Sequence, residues 1–292
     1  STSGTWWVSQ NDQPEGIARK LLPSSFSIPS FDSSSSLAIG NTEQGVFTTT
    51  LSGTNLHYLQ SSALAGHPLP ASLERVLWQP AHQHPALLFA VAPSNVFGST
   101  STTVQLVLRD ANGHLTPITT CTCTQFAWSP DGNAVLYTTG ASYLVFHVTT
   151  HSSFTISAEE GAVPYWSPDS QFLLLDGLHT LLLVQIKKQE QQVLLADTPS
   201  GETKAMSPKL PGVNELLQSV SNSLWAADSR HFLFLTRGRL FWQGQRLSAG
   251  KGLYTVTIDS SGKLQGTPSV VDTGDDSQAG WTYEDPNTSF LF

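Results

Sequence analysis

Arginine and aromatic side chains occur together in one short segment, and their chemistry suits a binding site. Arg237, Arg239 and Arg246 stand near Phe241 and Trp242, and the segment around them contains no acid. A guanidinium group offers a planar pair of donors and an aromatic ring offers a stacking face, so the segment suits a carboxylate, a phosphate or a sugar. The Gln-Gly pair after Trp242 predicts an extra hairpin. The alternative is a solvated hairpin whose rings pack on a neighbouring sheet.

Two pairs of adjacent acids are the candidates for acid–base chemistry. Glu159 is followed by Glu160, and Asp275 is followed by Asp276, both in predicted loops. Paired carboxylates can divide the roles of proton donor and proton acceptor. Adjacent acids in loops are more often simply solvated, and that remains the plainer interpretation.

Two short motifs contain residue types that bind metals or undergo redox chemistry. His82 and His84 have the spacing of metal ligands on one strand face, but no third ligand is near them, which favours a surface turn. Cys121 and Cys123 stand at alternate positions of one predicted strand, where a relaxed disulfide fits poorly. Two buried thiols are therefore expected, and neither a metal nor a cofactor is predicted.

A sequence repeat that fills the chain must position these residues. An aromatic anchor, most clearly Trp, is followed by turn residues of the type Ser-Pro-Asp-Gly and then by an apolar run. The anchors stand at positions 31, 78, 128, 166, 225 and 281, a mean spacing of 50 residues. Each unit contains four short runs rich in Val, Leu and aromatic residues, which predicts four β-strands. Four strands at this period are typical of a propeller blade.

The predicted fold is all-β: a six-bladed β-propeller of four-stranded antiparallel blades, forming a single domain over 1–292. The last unit contains only two strands, and the chain begins with two further strand-like runs, 5–9 and 18–22. Pairing of these N-terminal strands with the C-terminal ones would complete the last blade. It would also close the ring and remove two exposed sheet edges.

The motif Trp-Ser-Pro-Asp-Gly before an apolar strand resembles the TolB-type repeat, a WD40-like β-propeller repeat. It is also similar to the propellers of prolyl-oligopeptidase-type enzymes. The resemblance covers 5–292 and is strongest over 120–240. It implies packing and turn roles for Trp128, Trp166, Trp225, Asp131, Asp169 and Asp228. It implies no peptidase, because the chain contains no Gly-x-Ser-x-Gly motif.

Long loops and the channel mouth are where such a fold is expected to hold a ligand. Connections at one face are short turns, whereas those at the mouth include 61–74, 92–102, 197–222 and 236–252. Within the third of these, apolar residues at helical spacing predict a short helix over 213–220. The residues three positions before the anchors are Ile28, Arg75, Gln125, Val163, Asn222 and Gln278. Four of these six are polar and predict a hydrogen-bonding throat, with a water-filled channel as the alternative.

Composition limits the partners. Fourteen Lys and Arg against 22 Asp and Glu give a net charge of −8. A nucleic-acid binder needs a clustered basic surface, so no nucleic-acid partner is predicted. No apolar run approaches the roughly 18 residues of a membrane span. A chain that starts at Ser1 and has Met206 as its single methionine is expected to be a processed form whose signal or anchor has been removed.

The sequence therefore predicts a non-catalytic, monomeric binding propeller, extracytoplasmic and bacterial, that holds a protein partner or a small polar or anionic ligand at the long-loop face. The predicted ligand-binding residues are Arg75, Gln125, Asn222, Arg237, Arg239, Trp242, Arg246 and Gln278. The alternative is a hydrolase or lyase acting on a carbohydrate or peptide-derived substrate at the channel mouth. Its candidate ionisable residues are Glu74, Arg75, Glu160 and Asp276. A third interpretation, a purely structural platform, predicts an apolar patch on the rim.

Overall fold

The computed structural model shows an all-β chain. It describes residues 7–8, 19–20, 27–32, 37–42, 45–50, 57–58, 71–80, 86–93, 103–110, 112–123, 126–139, 142–177, 179–197, 217–218, 224–237, 241–247, 251–272, 280–281 and 290–291. These ranges contain 26 β-strands and no helix, which confirms the predicted all-β class. It follows that none of them holds a helix long and apolar enough for a membrane crossing.

Most strands form four-stranded antiparallel sheets that follow the order of the chain. The first sheet contains β3 (Ser27–Asp32), β4 (Leu37–Thr42), β5 (Gly45–Thr50) and β6 (His57–Tyr58). The second contains β7 (Ala71–Trp78), β8 (Leu87–Pro93), β9 (Val104–Arg109) and β10 (Leu115–Cys121). The third contains β11 (Phe126–Trp128), β12 (Ala134–Thr139), β13 (Ser142–His147) and β14 (Ser152–Ser157).

The fourth and fifth sheets each contain four strands of the repeat, and the fourth is extended by an extra hairpin. The fourth contains β15 (Val163–Trp166), β16 (Phe172–Asp176), β17 (Thr180–Gln185) and β18 (Glu190–Ala196). The fifth contains β19 (Leu217–Gln218), β20 (His231–Arg237), β23 (Lys251–Thr257) and β24 (Ser269–Asp272). A hairpin of β21 (Phe241–Trp242) and β22 (Gln245–Arg246) extends the fourth sheet to six strands.

The ends of the chain form two further strand pairs. At the start, β1 (Trp7–Val8) pairs with β2 (Arg19–Lys20), and at the end β25 (Gly280–Trp281) pairs with β26 (Phe290–Leu291). No pairing between these two hairpins is found among the described strands, so closure of a ring stays a prediction. The chain forms two compact units, one of residues 1–128 and 137–139 and the other of the remainder. The single domain over 1–292 likewise stays a prediction.

The fourth sheet is buried on both faces, which explains the near-continuous apolar sequence of β16 and β17. Leu173 and Leu175 pack in one core cluster with Tyr143 of the third sheet. Leu174 packs in another cluster with Phe232 of the fifth sheet. Because alternate side chains point to opposite faces of a strand, a strand covered on both faces needs apolar residues at every position.

The Ser-Pro-Asp turn predicted from the repeat is confirmed. In the third sheet, Ser129 Oγ donates to Asp131 Oδ1 at 2.6 Å and accepts the backbone N–H of Ala134 at 2.9 Å. Asp131 Oδ1 also accepts the backbone N–H of Asn133 at 3.1 Å. The fourth sheet repeats this arrangement in its own turn. The motif therefore shapes the chain locally, as its resemblance to a known repeat implies.

The last residue of this turn is left-handed in all three clear copies. Gly132 has a φ of 71°, and Ser170 and Ser229 have a φ of 59°. The two serines use their hydroxyl groups between sheets: the N–H of Asp131 donates to Ser170 Oγ at 3.0 Å, and the N–H of Asp169 donates to Ser229 Oγ at 2.9 Å. Each serine thus ties its own turn to the turn of the preceding sheet.

We expect Ser229→Ala to lower the free energy of unfolding by about 1–3 kcal/mol, because the N–H of Asp169 loses its acceptor while the left-handed backbone keeps a Cβ. Ser229→Gly is the matched control, since it removes the same hydroxyl but relieves the backbone by up to about 1 kcal/mol. Chemical denaturation of both variants should place Ser229→Gly between Ser229→Ala and wild type. Equal stabilities of Ser229→Ala and wild type would contradict a stabilising role for the hydroxyl.

Other polar contacts join consecutive sheets within the second unit. The indole N–H of Trp225 donates to the carbonyl oxygen of Tyr165 at 2.9 Å. The Arg230 guanidinium donates to Asp169 Oδ2 at 3.0 Å and lies over the ring of Phe172, 5.5 Å from its centroid. Within the first unit, Trp128 donates in the same way to the carbonyl oxygen of Leu77 at 3.1 Å. Sheet-to-sheet contact thus relies on the repeated motif.

Two expectations from the sequence are wrong. The predicted helix over 213–220 is interrupted by β19, because Leu217 and Gln218 pair with Thr236 and Leu235 of β20. The other residues of that segment lie outside the described ranges. Sheet pairing thus overrides the local helical spacing, as tertiary context often does.

The two cysteines form a disulfide instead of remaining thiols. Cys121 is the last residue of β10, and Cys123 lies beyond its end. The two residues are therefore not alternate positions of one regular strand, and their Cα atoms approach to 5.1 Å, within the range that a disulfide bridges.

Candidate functional site

Each sheet has two ends. At the end called the short-turn end, the first strand is joined to the second and the third strand to the fourth. At the end called the long-loop end, the second strand is joined to the third and the chain passes between sheets; the second-to-third connection is short in the fourth sheet, at 177–179, and long in the second and fifth sheets. In the fourth sheet the short-turn end comprises 167–171 and 186–189, and the described part of the long-loop end comprises 158–162, 177, 179 and 197. The candidate site lies at this long-loop end.

Glu159 is a buried acid in the connection that enters the fourth sheet, with only 8% of its surface exposed. Its Oε2 accepts the backbone N–H of His179 at 2.8 Å and the hydroxyl of Thr180 at 3.3 Å. Its Oε1 is buried and has no hydrogen-bond partner among the described residues. One oxygen therefore holds the adjacent connection, and the other has no partner in the described chain.

Gly177 makes room for this carboxylate. A Cβ at position 177 would lie 2.4 Å from Glu159 Oε2 and 3.1 Å from the Cβ of Glu159. The N–H of Gly177 donates to the carbonyl oxygen of Thr180 at 2.9 Å, which closes the turn between β16 and β17. The turn and the acid thus fit together only because position 177 carries no side chain.

Asp176, the last residue of β16, is the second buried acid of this end, also 8% exposed. Burial and, to a smaller degree, the negative charge of Glu159 raise the pKa of Asp176 to about 7. Among the described residues, its carboxyl group has neither a hydrogen-bond donor nor a cationic partner. Asp176 therefore changes its charge near neutral pH without a compensating group in the described chain.

His179 and Asp197 lie beside these acids. His179 Nδ1 is 3.6 Å from Asp197 Oδ2, longer than a good hydrogen bond. Both His179 Nδ1 and Asp197 Oδ1 are buried without a hydrogen-bond partner in the described chain. Buried polar atoms almost always have a partner, counting water and ligands. Glu159, Asp176, His179 and Asp197, called the acid cluster below, contain three such unpartnered atoms.

Tyr143 fixes the connection that carries Glu159. Its hydroxyl donates to the carbonyl oxygen of Ala162 at 2.6 Å, and 2% of the residue is exposed. Burial, with the charges of Glu159 and Glu160, raises the pKa of Tyr143, so the hydroxyl group keeps its proton and remains a donor. Glu160 itself is exposed. The acid cluster is thus held by the third sheet as well as by the fourth.

Acids at the short-turn end are used differently. Asp228 accepts the backbone N–H groups of Arg230 and His231 at 2.8 and 3.1 Å, and its Oδ2 lies 2.5 Å from His231 Nδ1. Burial alone would raise the pKa of Asp228, but these interactions together lower it. At Asp259, bonds led by that from the Ser261 hydroxyl also lower the pKa. These carboxylates are occupied by their own turns.

The predicted ligand-binding residues are only partly described. Arg75 lies in β7 beside a bulge, and Arg237 is the last residue of β20. Arg246 is exposed at the end of the extra hairpin. The positions outside the described residues are Gln125, Asn222, Arg239 and Gln278. Asp276 and the pair His82 and His84 also lie outside them.

The predicted hairpin is confirmed, but its Trp242 is a core residue. Gln243 and Gly244 have φ values of 48° and 79°, which suit the two central residues of a tight hairpin turn. Trp242 is 5% exposed, pairs with Leu195 of β18 and stacks on Phe234 at a centroid distance of 5.8 Å. The prediction that its ring faces a ligand is corrected, because almost none of the indole is accessible.

From the sequence, Glu159 is expected only as one of an adjacent acid pair, a candidate for acid–base chemistry with solvation as the plainer interpretation, whereas Asp176, His179 and Asp197 are not predicted. One signal was present for Asp176, which is the single charged residue of β16 and stands directly before Gly177. A charge at the end of an otherwise apolar strand indicates an acid held at the edge of a core. Nothing in the sequence places Asp197 beside His179.

No protein-family model and no curated protein matches the chain. Solved structures are similar in backbone at low sequence identity. The crystal structure of Porphyromonas gingivalis dipeptidyl peptidase 4 is 9% identical with a TM-score of 0.44, and the match covers 85% of this chain and 46% of that one. The crystal structure of the tricorn protease is 12% identical with a TM-score of 0.42, and the match covers 94% and 28%. The chain thus spans less than half the length of either protein.

Proposed function

We propose that the chain is a TolB-like six-bladed β-propeller, a single domain that binds a small polar ligand at the long-loop ends of its sheets without catalysing a reaction. Four sheets of four antiparallel strands and one of six, following each other along the chain, support the propeller architecture. The hairpins β1–β2 and β25–β26 would together supply the sixth blade.

The observation that carries a binding role is the contrast between the acids at the two ends of the sheets. The acid cluster at the long-loop end keeps buried polar atoms that have no partner in the described chain. Asp228 and Asp259 at the short-turn end instead accept several hydrogen bonds from their own turns. Unpartnered buried polar atoms are costly unless a ligand or water completes them. A polar ligand would therefore gain the most binding free energy at the long-loop end, where it would supply the missing hydrogen-bond partners.

A bacterial, extracytoplasmic location is part of this proposal. The disulfide between Cys121 and Cys123 supports it, because disulfides persist in oxidising compartments and are rare in the cytosol. We further propose a monomer. A protein partner could present the same polar groups to the acid cluster as a small ligand.

One observation favours an enzyme, a hydrolase or lyase, as the second candidate. Asp176 has a pKa of about 7, and the neighbouring acid Glu159 accepts hydrogen bonds on one oxygen. A pair of carboxyl groups in which one is protonated near neutral pH can act as general acid and general base. An enzyme would convert its ligand, whereas a binding module would release it unchanged.

A ligand screen by thermal shift tests the proposed function on the whole chain. We expect at least one compound from a panel of sugars, organic acids, amines and short peptides to raise the melting temperature in a saturable way, because binding to the folded state stabilises it. The same compound should lose its effect in the double variant Glu159→Gln, Asp176→Asn.

Glu190→Gln is the control, since it removes an exposed acid from β18 of the same sheet, at the short-turn end. It should leave the shift unchanged. The variant Arg239→Ala, Arg246→Ala tests the predicted anion preference and should weaken only anionic hits. The proposed function is overturned if no compound raises the melting temperature. It is also overturned if the active compound stabilises the double variant Glu159→Gln, Asp176→Asn as much as it stabilises wild type.

A further inference from the structure

We propose that the acid cluster binds the cationic group of a ligand, an ammonium or a guanidinium, with Glu159 and Asp176 as its anionic partners. This inference rests on the proposed function and adds the chemical class of the ligand. It differs from the anionic ligand expected from the arginines of the sequence, because the described part of the long-loop end of the fourth sheet is acidic.

The negative charge of the acid cluster favours a cationic ligand. Glu159, Asp176 and Asp197 bring three carboxyl groups to one end of one sheet, and exposed Glu160 adds a fourth beside them. Two described cations of the same unit are engaged elsewhere: Arg230 binds Asp169, and Lys188 donates to the carbonyl oxygen of Ser261 at 3.1 Å. Buried carboxylates are normally paired with a cation or heavily hydrogen-bonded.

The unpartnered atoms point to a donor that is missing from the described chain. Glu159 has one oxygen bonded and one buried without any partner among the described residues. Asp176, whose charge interacts with that of Glu159, is 8% exposed. An ammonium offers three donors and a guanidinium five, and both carry the complementary charge. Either group therefore satisfies the acceptors and the charge together, which a neutral hydroxyl cannot do.

A coordinated metal ion is a weaker fit than an organic cation. Among the described residues, no three His, Cys, Asp or Glu side chains come close enough to hold a metal ion. One oxygen of Glu159 is already committed to the backbone of His179 and to Thr180. A cation that bonds through N–H groups can reach the separate acceptors without this close convergence.

Binding of a cation should be coupled to the ionisation of Asp176. The charged group that acts on Asp176 is Glu159, and the other titratable groups at this end of the sheet are Tyr143, Glu160, His179 and Asp197. A cation favours the ionised carboxylate, so the bound state should release the proton that Asp176 holds below about pH 7. If only the ionised form binds, the dissociation constant should be about tenfold higher at pH 6 than at pH 8.

The test measures the binding of putrescine and agmatine by titration calorimetry at pH 6 and pH 8, at one ionic strength, with 1,4-butanediol as the neutral analogue of putrescine. We expect saturable binding of at least one amine, none of the diol, and about tenfold tighter binding at pH 8. Asp176→Asn should weaken binding and remove its pH dependence. Glu159→Gln, which keeps a side-chain acceptor, should weaken binding and move its midpoint to lower pH.

Glu190→Gln serves again as the control and should change neither affinity nor pH dependence. Equal binding of the diol, a dissociation constant that is the same at both pH values, or an unaffected Asp176→Asn variant would overturn the cation site. If the amines fail but another panel compound binds and depends on Glu159 and Asp176, the cation is wrong and the proposed function stands. If no compound binds, both are overturned.

Discussion

Asp176→Asn is expected to be more stable than wild type by about 4 kcal/mol at pH 8 and by only about 1–2 kcal/mol at pH 5. The pKa of Asp176 is raised from 3.8 to about 7 in the folded chain, chiefly by burial. Between these values the folded chain holds a proton that the unfolded chain releases, so the free energy of unfolding falls as the pH rises through this window. Above about pH 7 the loss is complete and amounts to about 4 kcal/mol.

Asparagine is neutral at both pH values and nearly the same shape, so the variant avoids this loss. Urea denaturation of both proteins from pH 4.5 to pH 8.5 measures the difference between them. The difference isolates Asp176, because acids such as Asp228, whose pKa is lowered, contribute equally to both proteins. Glu190→Gln, an exposed acid of the same sheet, should show no such divergence. Parallel profiles for wild type and Asp176→Asn would contradict a buried, uncompensated carboxyl group.

A stability loss of this size at neutral pH fits a residue retained for binding. Replacing an acid by its amide is a single step, and it would make the chain more stable where it now carries a buried charge. Groups that destabilise the folded state are characteristic of functional sites. The expected gain in stability of Asp176→Asn and its expected loss of cation binding therefore both measure the effect of the buried charge of Asp176.

The sheets and their turns could be predicted because their signals are local. Trp128, Ser129 and Asp131 stand in one short motif, and the hydrogen bonds that the side chains of the last two make within their own turn span only a few residues. The hairpin at Gln243 and Gly244 is equally local, since its turn requires two positive φ angles. The predicted helix over 213–220 was wrong because the conformation of this segment is set by a distant partner: Leu217 pairs with Thr236.

The candidate site could not be predicted for the same reason. The carboxylate of Glu159 meets the backbone of His179, twenty residues further on, and nothing in the local sequence separates this acid from its exposed neighbour Glu160. Burial of Asp176 depends on two sheets covering both faces of β16. Adjacent acids are visible in the sequence, whereas the negative charge of the acid cluster arises from acids that are distant in sequence and are brought together by the fold.

Trp242→Ala is expected to release the extra hairpin from the fourth sheet and to lower the free energy of unfolding by about 3–5 kcal/mol. The indole stacks on Phe234, which in turn stacks on Tyr254 at a centroid distance of 5.2 Å, so the substitution opens a cavity inside an aromatic column. Only two residue pairs join β21 to β18, and these backbone bonds cannot hold the hairpin without the buried ring.

Hydrogen exchange at Gln243 reports this release directly, because its N–H donates to the carbonyl oxygen of Leu194 at 3.0 Å across the junction. Exchange should become much faster in Trp242→Ala than in wild type, while the amides of β16 and β17 stay protected under conditions where the chain remains folded. Arg246→Ala is the matched control on the same hairpin: its side chain is exposed, so exchange and stability should change little. If Trp242→Ala left the Gln243 amide protected, the hairpin would be held by its backbone pairing and its connections, which would contradict the anchoring role of the indole. Faster exchange would instead establish that the aromatic part of this segment serves the core, leaving only its arginines for any ligand.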